Sequence, residues 1–254
     1  MTFWDHIEEL RWRVVRIVIV WVLLAIGYFI AMPYLFDSVI LAPCNNDFVL
    51  YEFLRHLSAE WSLQSEIIDN DFQVTLVNIN LAAPLLIHLS TAFALSVVTA
   101  APYLFYEVWL FIKPGLYAAE RRSVRTAFIF GSVMFYIGVF VGYILIYPLA
   151  LRFLSGYQLS TTIENTISLN SYIENFTMLV LSMGLAFEIP LILWLLSLMG
   201  LITRDLLRRY RRHAIVAIVV IAAVITPTSD PFTLTVVALP LYILYEFSYL
   251  ILRK

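Results

Sequence analysis

Positive charge is missing from most of this chain. Of its 16 Lys and Arg residues, 14 fall into four short clusters, and the only cations outside them are Arg55 and Arg152. Cysteine is almost absent too. A single Cys44 excludes an intramolecular disulfide. The chain also lacks HExxH, GxSxG and a Walker loop, and its histidines, His6, His56, His88 and His213, lie on segments far apart. These absences argue against an enzyme, and no cofactor, metal centre or nucleic-acid partner is expected. Neither an internal repeat nor a low-complexity segment is present, which removes the hallmark of inverted-repeat transporters. Asp5, Glu8 and Glu9 precede the first apolar run in place of a basic n-region and cleavage site, so the first span is expected to persist.

What remains is apolar. At 62% hydrophobic and 13% charged residues, a chain of 254 residues has more apolar surface than an aqueous fold of this size buries, so lipid must solvate much of it. The four basic clusters are Arg11/Arg13/Arg16, Lys113/Arg121/Arg122/Arg125, Arg204/Arg208/Arg209/Arg211/Arg212 and Arg253/Lys254. Basic residues beside membrane spans stay on the cytoplasmic side, so all four clusters, and both termini, are predicted to face the cytoplasm.

The apolar stretches between them give six predicted spans in a single membrane domain, 1–254: about 14–35, 80–109, 126–151, 173–199, 213–226 and 232–252. All are helical, because isolated strands leave backbone groups unsatisfied in hydrocarbon. The exterior segment 36–79 is too long for a turn and mixes charges with apolar residues, which predicts an ordered cap. A second exterior connection, 152–172, is polar. The third is the tight turn from Thr226 to Pro231, which makes the last two spans a hairpin. The fifth span covers only about 20 Å against a hydrocarbon thickness of about 30 Å, unless its helix extends through Arg211 and Arg212.

Three features carry candidate chemistry. Glu188 stands near the middle of an apolar span, two residues before Pro190, whose missing N–H predicts a kink beside the carboxyl group. Glu8 and Glu9 precede the first span and Glu120 precedes the third, each flanked by arginines. Glu9 can pair with Arg13 one turn on, as a solvated salt bridge, or these carboxylates can receive an incoming cation, for which guanidinium is best suited because it binds bidentately. The Gly138/Gly142 pair matches GxxxG and suggests close helix packing.

The segments His6-Ile7-Glu8-Glu9-Leu10-Arg11-Trp12-Arg13, Trp109 to Tyr117 with Glu120-Arg121-Arg122, Phe135 to Gly138, Tyr147-Pro148-Leu149-Ala150, Phe187-Glu188-Ile189-Pro190 and Ile225-Thr226-Pro227 with Asp230 resemble, in order, the TatC family, the multispanning receptor of twin-arginine protein translocases. The resemblance covers essentially the whole chain. It implies an all-α integral membrane protein with six helices in a cup-like bundle that binds twin-arginine signal peptides and exports folded proteins on the proton motive force. It further implies that Glu9 and Glu120 receive the signal peptide, with Arg11, Phe111, Pro114 and Gly115 shaping the surface. Pro43 would belong to the exterior cap, and Glu188 would face the cup. Thr226 and Asp230 would lie near the contact for single-span TatA/TatB-type partners, within a complex holding several copies of this chain. Leu234 stands where the family often has glutamine, with Thr233 and Thr235 as substitute polar groups. The alternative of another class is a proton-coupled secondary transporter titrating Glu188.

Overall fold

The computed structural model describes residues 3–61, 74–115, 121–157, 160, 165–198, 200–226 and 230–251. Its helices are α1 (Phe3–Leu35), α2 (Val49–Trp61), α3 (Ala83–Ile112), α4 (Arg121–Val141), α5 (Tyr147–Gly156), α6 (Leu169–Ala186), α7 (Ile189–Leu198), α8 (Arg204–Arg209), α9 (Arg211–Ile225) and α10 (Pro231–Ile251). Two short strands, β1 (Leu76–Val77) and β2 (Ile167–Ser168), pair in parallel. Among the described residues, five helical stretches are long and apolar enough to cross a membrane.

Helices stand at each of the six predicted stretches with shifted ends, but α9, at the fifth, is not among those long and apolar enough to cross. The first helix starts near residue 3 rather than 14, because the charged approach segment continues the helix, with Glu8–Arg11 and Glu9–Arg13 paired one turn apart along it. The second runs three residues later than 80–109 at both ends. The third extends beyond 126–151 at both ends and passes into α5 through a π-helical turn at Gly142–Ile146. That extra residue per turn lets the helix proceed past Pro148, which has no N–H to donate. The fourth, read as one span over 173–199, is two helices: α6 ends at Ala186 and α7 begins at Ile189, with Phe187 and Glu188 in the break two residues ahead of Pro190. The fifth does take in Arg211 and Arg212, yet at 15 residues it still rises only about 22 Å. The sixth matches 232–252 to one residue at each end.

Helix ends follow local chemistry. Ser168 and Thr203 cap α6 and α8 by accepting the N–H groups of Ser171 and Leu206, each at 3.3 Å. Gly200, at φ 74°, closes α7: its N–H reaches Ser197 O and the next N–H reaches Leu196 O, both at 3.0 Å.

The segment 36–79, expected to form an exterior cap, contains regular structure over its described part. It contains a π-helical turn (Phe36–Ile40), a short 3₁₀ turn (Ala42–Cys44) and α2, and its strand β1 ties it to β2 in the second exterior connection. The sequence pattern did not disclose that pairing. Tyrosine hydroxyls stitch the cap to the spans at carbonyls left free where helices bend or stop. Tyr143 donates to Val39 O at 2.8 Å, Tyr172 to Ile40 O at 2.6 Å, and Tyr51 to Pro43 O and Pro148 O at 3.1 and 3.2 Å. Each such bond satisfies a buried carbonyl and leaves the ring packed in the core, where Tyr143, Tyr147, Tyr172 and Phe176 meet edge to face or stacked. Pro43 and Cys44 are buried within this cap.

Polar contacts also join α1 to α3. Tyr28 Oη meets Thr99 Oγ1 at 2.6 Å, and His88, stacked on Phe29, donates Nε2–H to Phe29 O at 2.7 Å. His88 is thus a hydrogen-bonded packing residue. The glycines of α4 make the closest helix contacts. A Cβ on Gly138 would lie 2.5 Å from Met183 O, and one on Gly184 of α6 would lie 2.8 Å from Val139, so the two backbones touch where the GxxxG pattern suggested.

Gly138→Val is expected to force α4 and α6 apart and to destabilise the protein by about 1–3 kcal/mol, read as a lower thermal midpoint in detergent. Gly27→Ala, at a position with nothing within 4 Å, is expected to leave the midpoint unchanged.

Candidate functional site

The α1–α3 contact ends in a buried charge cluster. Arg13 of α1 donates Nη1–H to Glu107 Oε2 at 3.0 Å, and its Nη2 pairs with Glu9 Oε1 and reaches Leu110 O at 3.3 Å. Tyr103 donates to the other Glu107 oxygen at 2.8 Å. Glu107 is 3% exposed, so this is a carboxylate removed from solvent with both oxygens hydrogen-bonded. Glu9 is different. Its Oε1 is engaged by Arg13, whereas Oε2 is shielded and has no hydrogen-bond partner. Two carboxylates around one guanidinium leave one formal negative charge uncompensated within the triad.

The helical register explains the arrangement. Glu9 and Arg13 are one turn apart on α1, and Tyr103 and Glu107 one turn apart on α3, so each pair shares a face and the two faces meet. Arg13 also touches Leu110, three residues before the turn Lys113–Gly115 that leaves α3. The triad therefore stands at the start of the loop joining α3 to α4.

The other predicted rim residues distribute as follows. Arg11 faces away and makes an exposed pair with Glu8 at 3.4 Å. Phe111 is half-buried, while Pro114 and Gly115 are exposed. Glu120 lies outside the described residues. The solvated salt-bridge reading of Glu9 with Arg13 is half correct: the pair forms, but Arg13 is also held by Glu107, which buries it. Glu107 was missed as a functional candidate. Its signal was available, because it falls inside the predicted span 80–109, and a carboxylate there requires a partner as Glu188 does.

Glu188 sits in the break between α6 and α7, 6% exposed, and neither carboxyl oxygen has a hydrogen-bond partner. Gly131 of α4 makes room for it: a Cβ there would lie 2.9 Å from Glu188 Oε2. Such a carboxylate is unfavourable for stability and is retained against that cost.

At the exterior hairpin, Asp230 Oδ1 accepts the Thr233 N–H at 2.7 Å and caps α10. Thr226 is buried and donates to Ala222 O at 3.0 Å. Of the two hydroxyls standing in for the missing glutamine, Thr235 bonds Pro231 O at 2.7 Å, whereas Thr233 Oγ1 is buried without a partner beside a 370 Å³ cavity lined also by Ser168, Ser171, Tyr172 and Asn175. At the opposite end of α10, Arg211 bonds Tyr242 at 2.9 Å and pairs with Glu246, a contact the sequence reading did not include. No group of His, Cys, Asp and Glu able to hold a metal ion occurs among the described residues.

Comparison with known proteins places this geometry. Residues 5–240 match the family described as Sec-independent protein translocase protein (TatC). The chain is 35% identical to the Sec-independent protein translocase protein TatC of Koribacter versatilis over 249 residues, spanning 98% of this chain and 83% of that one. It is 31% identical to that of Blattabacterium over 251 residues, 98% and 93% of the two chains. A crystal structure of the twin-arginine translocase receptor TatC in DDM superposes with a TM-score of 0.77 at 28% identity, covering 98% of this chain and all (100%) of that one.

Removing one member of the buried pair tests its weight. Glu107→Ala, which strands Arg13 with Glu9 alone, is expected to lower stability by about 3 kcal/mol, whereas Glu8→Ala, at an exposed pair, is expected to change it by less than about 1 kcal/mol, both from thermal unfolding in detergent. Glu188→Leu is expected to raise the same midpoint, by the equivalent of about 1 kcal/mol, while reducing export, since it replaces an unpartnered buried carboxyl group with apolar volume.

Proposed function

Because the chain belongs to the TatC family of Sec-independent protein translocase proteins, we propose that it is the signal-peptide receptor and core subunit of its translocase. The protein is a multi-pass component of the bacterial cytoplasmic membrane with a non-enzymatic role in protein transport. The carrier alternative, which rested on Glu188 alone, gives way to that assignment.

In the proposed arrangement the chain is one domain of six spans with both termini in the cytoplasm. Glu9 and Glu120 receive the paired arginines of a signal peptide on folded cargo. Arg11, Phe111, Pro114 and Gly115 shape the surface around them. One observation carries this reading: Glu9 stands beside the first residues of the α3–α4 loop with a carboxylate oxygen that has no hydrogen-bond partner among the described residues. A guanidinium binds a carboxylate through two parallel N–H···O bonds, so an unpartnered oxygen in a shielded, desolvated setting is the feature such a ligand exploits once it displaces the groups that cover it. The uncompensated charge of the triad supplies attraction, and hydrogen bonds to charged groups contribute about 1.5–3 kcal/mol each.

The remaining residues take supporting roles. Pro43 anchors the exterior cap through the Tyr51 hydroxyl. Glu188 gives the concave membrane face a polar point that the assembled complex uses while cargo crosses, driven by the proton motive force. Thr226 and Asp230, with Thr233, lie where single-span TatA/TatB-type subunits dock, and several copies of the chain assemble in the complex.

The test is crosslinking of a twin-arginine signal peptide to this chain in membranes. Probes at positions 9 and 120 are expected to label the peptide, and replacing its arginine pair with lysines is expected to abolish labelling; equal labelling by both peptides overturns the assignment. Glu9→Ala and Glu120→Ala are each expected to abolish export of a twin-arginine substrate at normal membrane levels of the protein.

A further inference from the structure

Glu9 is already partly occupied by a guanidinium, that of Arg13. We propose that Arg13 is an internal placeholder for the signal-peptide arginine, and that Glu107 is the parking carboxylate that holds Arg13 when Glu9 is surrendered. This rests on the reading of Glu9 as a signal-peptide carboxylate and adds a mechanism of exchange to it.

The argument follows from the hydrogen bonds. Bidentate capture of an incoming guanidinium needs both oxygens of Glu9, and Arg13 holds Oε1. Arg13 can release that oxygen without becoming an unpaired charge, because its other terminal nitrogen remains on Glu107 at 3.0 Å and the shared one still has Leu110 O at 3.3 Å. Glu107 is fixed for this purpose by Tyr103, is buried, and lies on a different helix from Glu9. The triad thus has two arrangements, with Arg13 shared between two carboxylates or held by one.

A consequence for specificity follows. A guanidinium that takes both oxygens of Glu9 must displace Arg13 from Oε1, whereas an ammonium, a point charge, can bind Oε2 alone. The placeholder therefore costs the arginine ligand more than the lysine ligand, which narrows the gap between them and eases release of a captured arginine pair, since only a cost that differs between two ligands changes their relative affinity. A merely structural Arg13 would leave that gap unchanged.

The experiment uses the full chain in lipid nanodiscs and two synthetic signal peptides, identical except for an arginine or a lysine pair. Arg13→Gln with Glu107→Gln removes placeholder and parking site together, which leaves Glu9 without its internal cation and free for the ligand, and the amide at 107 can still bond Tyr103. Binding of the arginine peptide is expected to tighten by about fivefold or more, the lower range of coupling between competing contacts, and the lysine peptide to gain less, so the ratio of the two affinities rises. Unchanged or weaker binding of both peptides, with Glu9→Gln still abolishing binding, overturns the placeholder and leaves the receptor reading standing. Wild-type binding by Glu9→Gln overturns the receptor reading and the placeholder with it. Arg13→Lys, which keeps the buried charge but holds Oε1 less firmly, serves if the double variant does not fold: a rise in the same ratio supports the proposal, and an unchanged or lower ratio overturns it.

Discussion

A polar group at bilayer depth has no water to fall back on, and that constraint organises this protein more than any apolar contact does. Apolar side chains are nearly indifferent between lipid and a neighbouring helix, so the hydrophobic effect places the spans in the membrane without saying how they meet. The partners of polar groups say that. Tyr143, Tyr172 and Tyr51 seek the carbonyls of Val39, Ile40, Pro43 and Pro148, and in doing so lock the exterior cap onto the third and fourth spans. Arg13, Glu9, Glu107 and Tyr103 do the same between the first two spans at the other end.

The glycines complete this logic. Where Gly138 and Gly184 bring α4 and α6 into contact, backbones approach closely enough for dispersion forces to hold them without polar help. Gly131 follows the same line of α4 and accommodates not a helix backbone but the side chains of Leu191 and Glu188. One helix surface thereby both packs the bundle and seats its unsatisfied acid, which ties the position of Glu188 to the integrity of the α4–α6 contact. The break before Pro190 contributes by turning α7 away, so Glu188 stands at a bend rather than along a straight helix.

Function in such a molecule depends on which polar groups are left incomplete. Glu107 and the cap tyrosines are satisfied and act as fasteners. Among the described residues, Glu9 and Thr233 each keep one buried side-chain oxygen without a hydrogen-bond partner and Glu188 keeps two, at the entrance to the α3–α4 loop, near the start of α10 and at the break between α6 and α7 respectively. In the proposed receptor role these are the groups left for a cationic peptide and for other subunits.

Much of this was legible from the chain alone. Clustered arginines and long apolar runs determined the membrane class and where the apolar helices lie, because charge transfer into hydrocarbon is unfavourable enough that residue type largely decides depth; among the described residues five of the six expected spans are long and apolar enough to cross. The regular structure within 36–79, the kink at Pro190, the packing role of Gly138 and the unusual standing of Glu188 were also legible, since each follows from a local rule. The sequence did not reveal the β1–β2 pairing, the tyrosine-to-carbonyl stitches or the sharing of Arg13 between Glu9 and Glu107. Those join residues as much as 132 positions apart, as Tyr172 and Ile40 are. Only the tertiary structure decides them, because which buried polar group finds which partner depends on how helices are rotated about their axes, and apolar surfaces in lipid leave that rotation open.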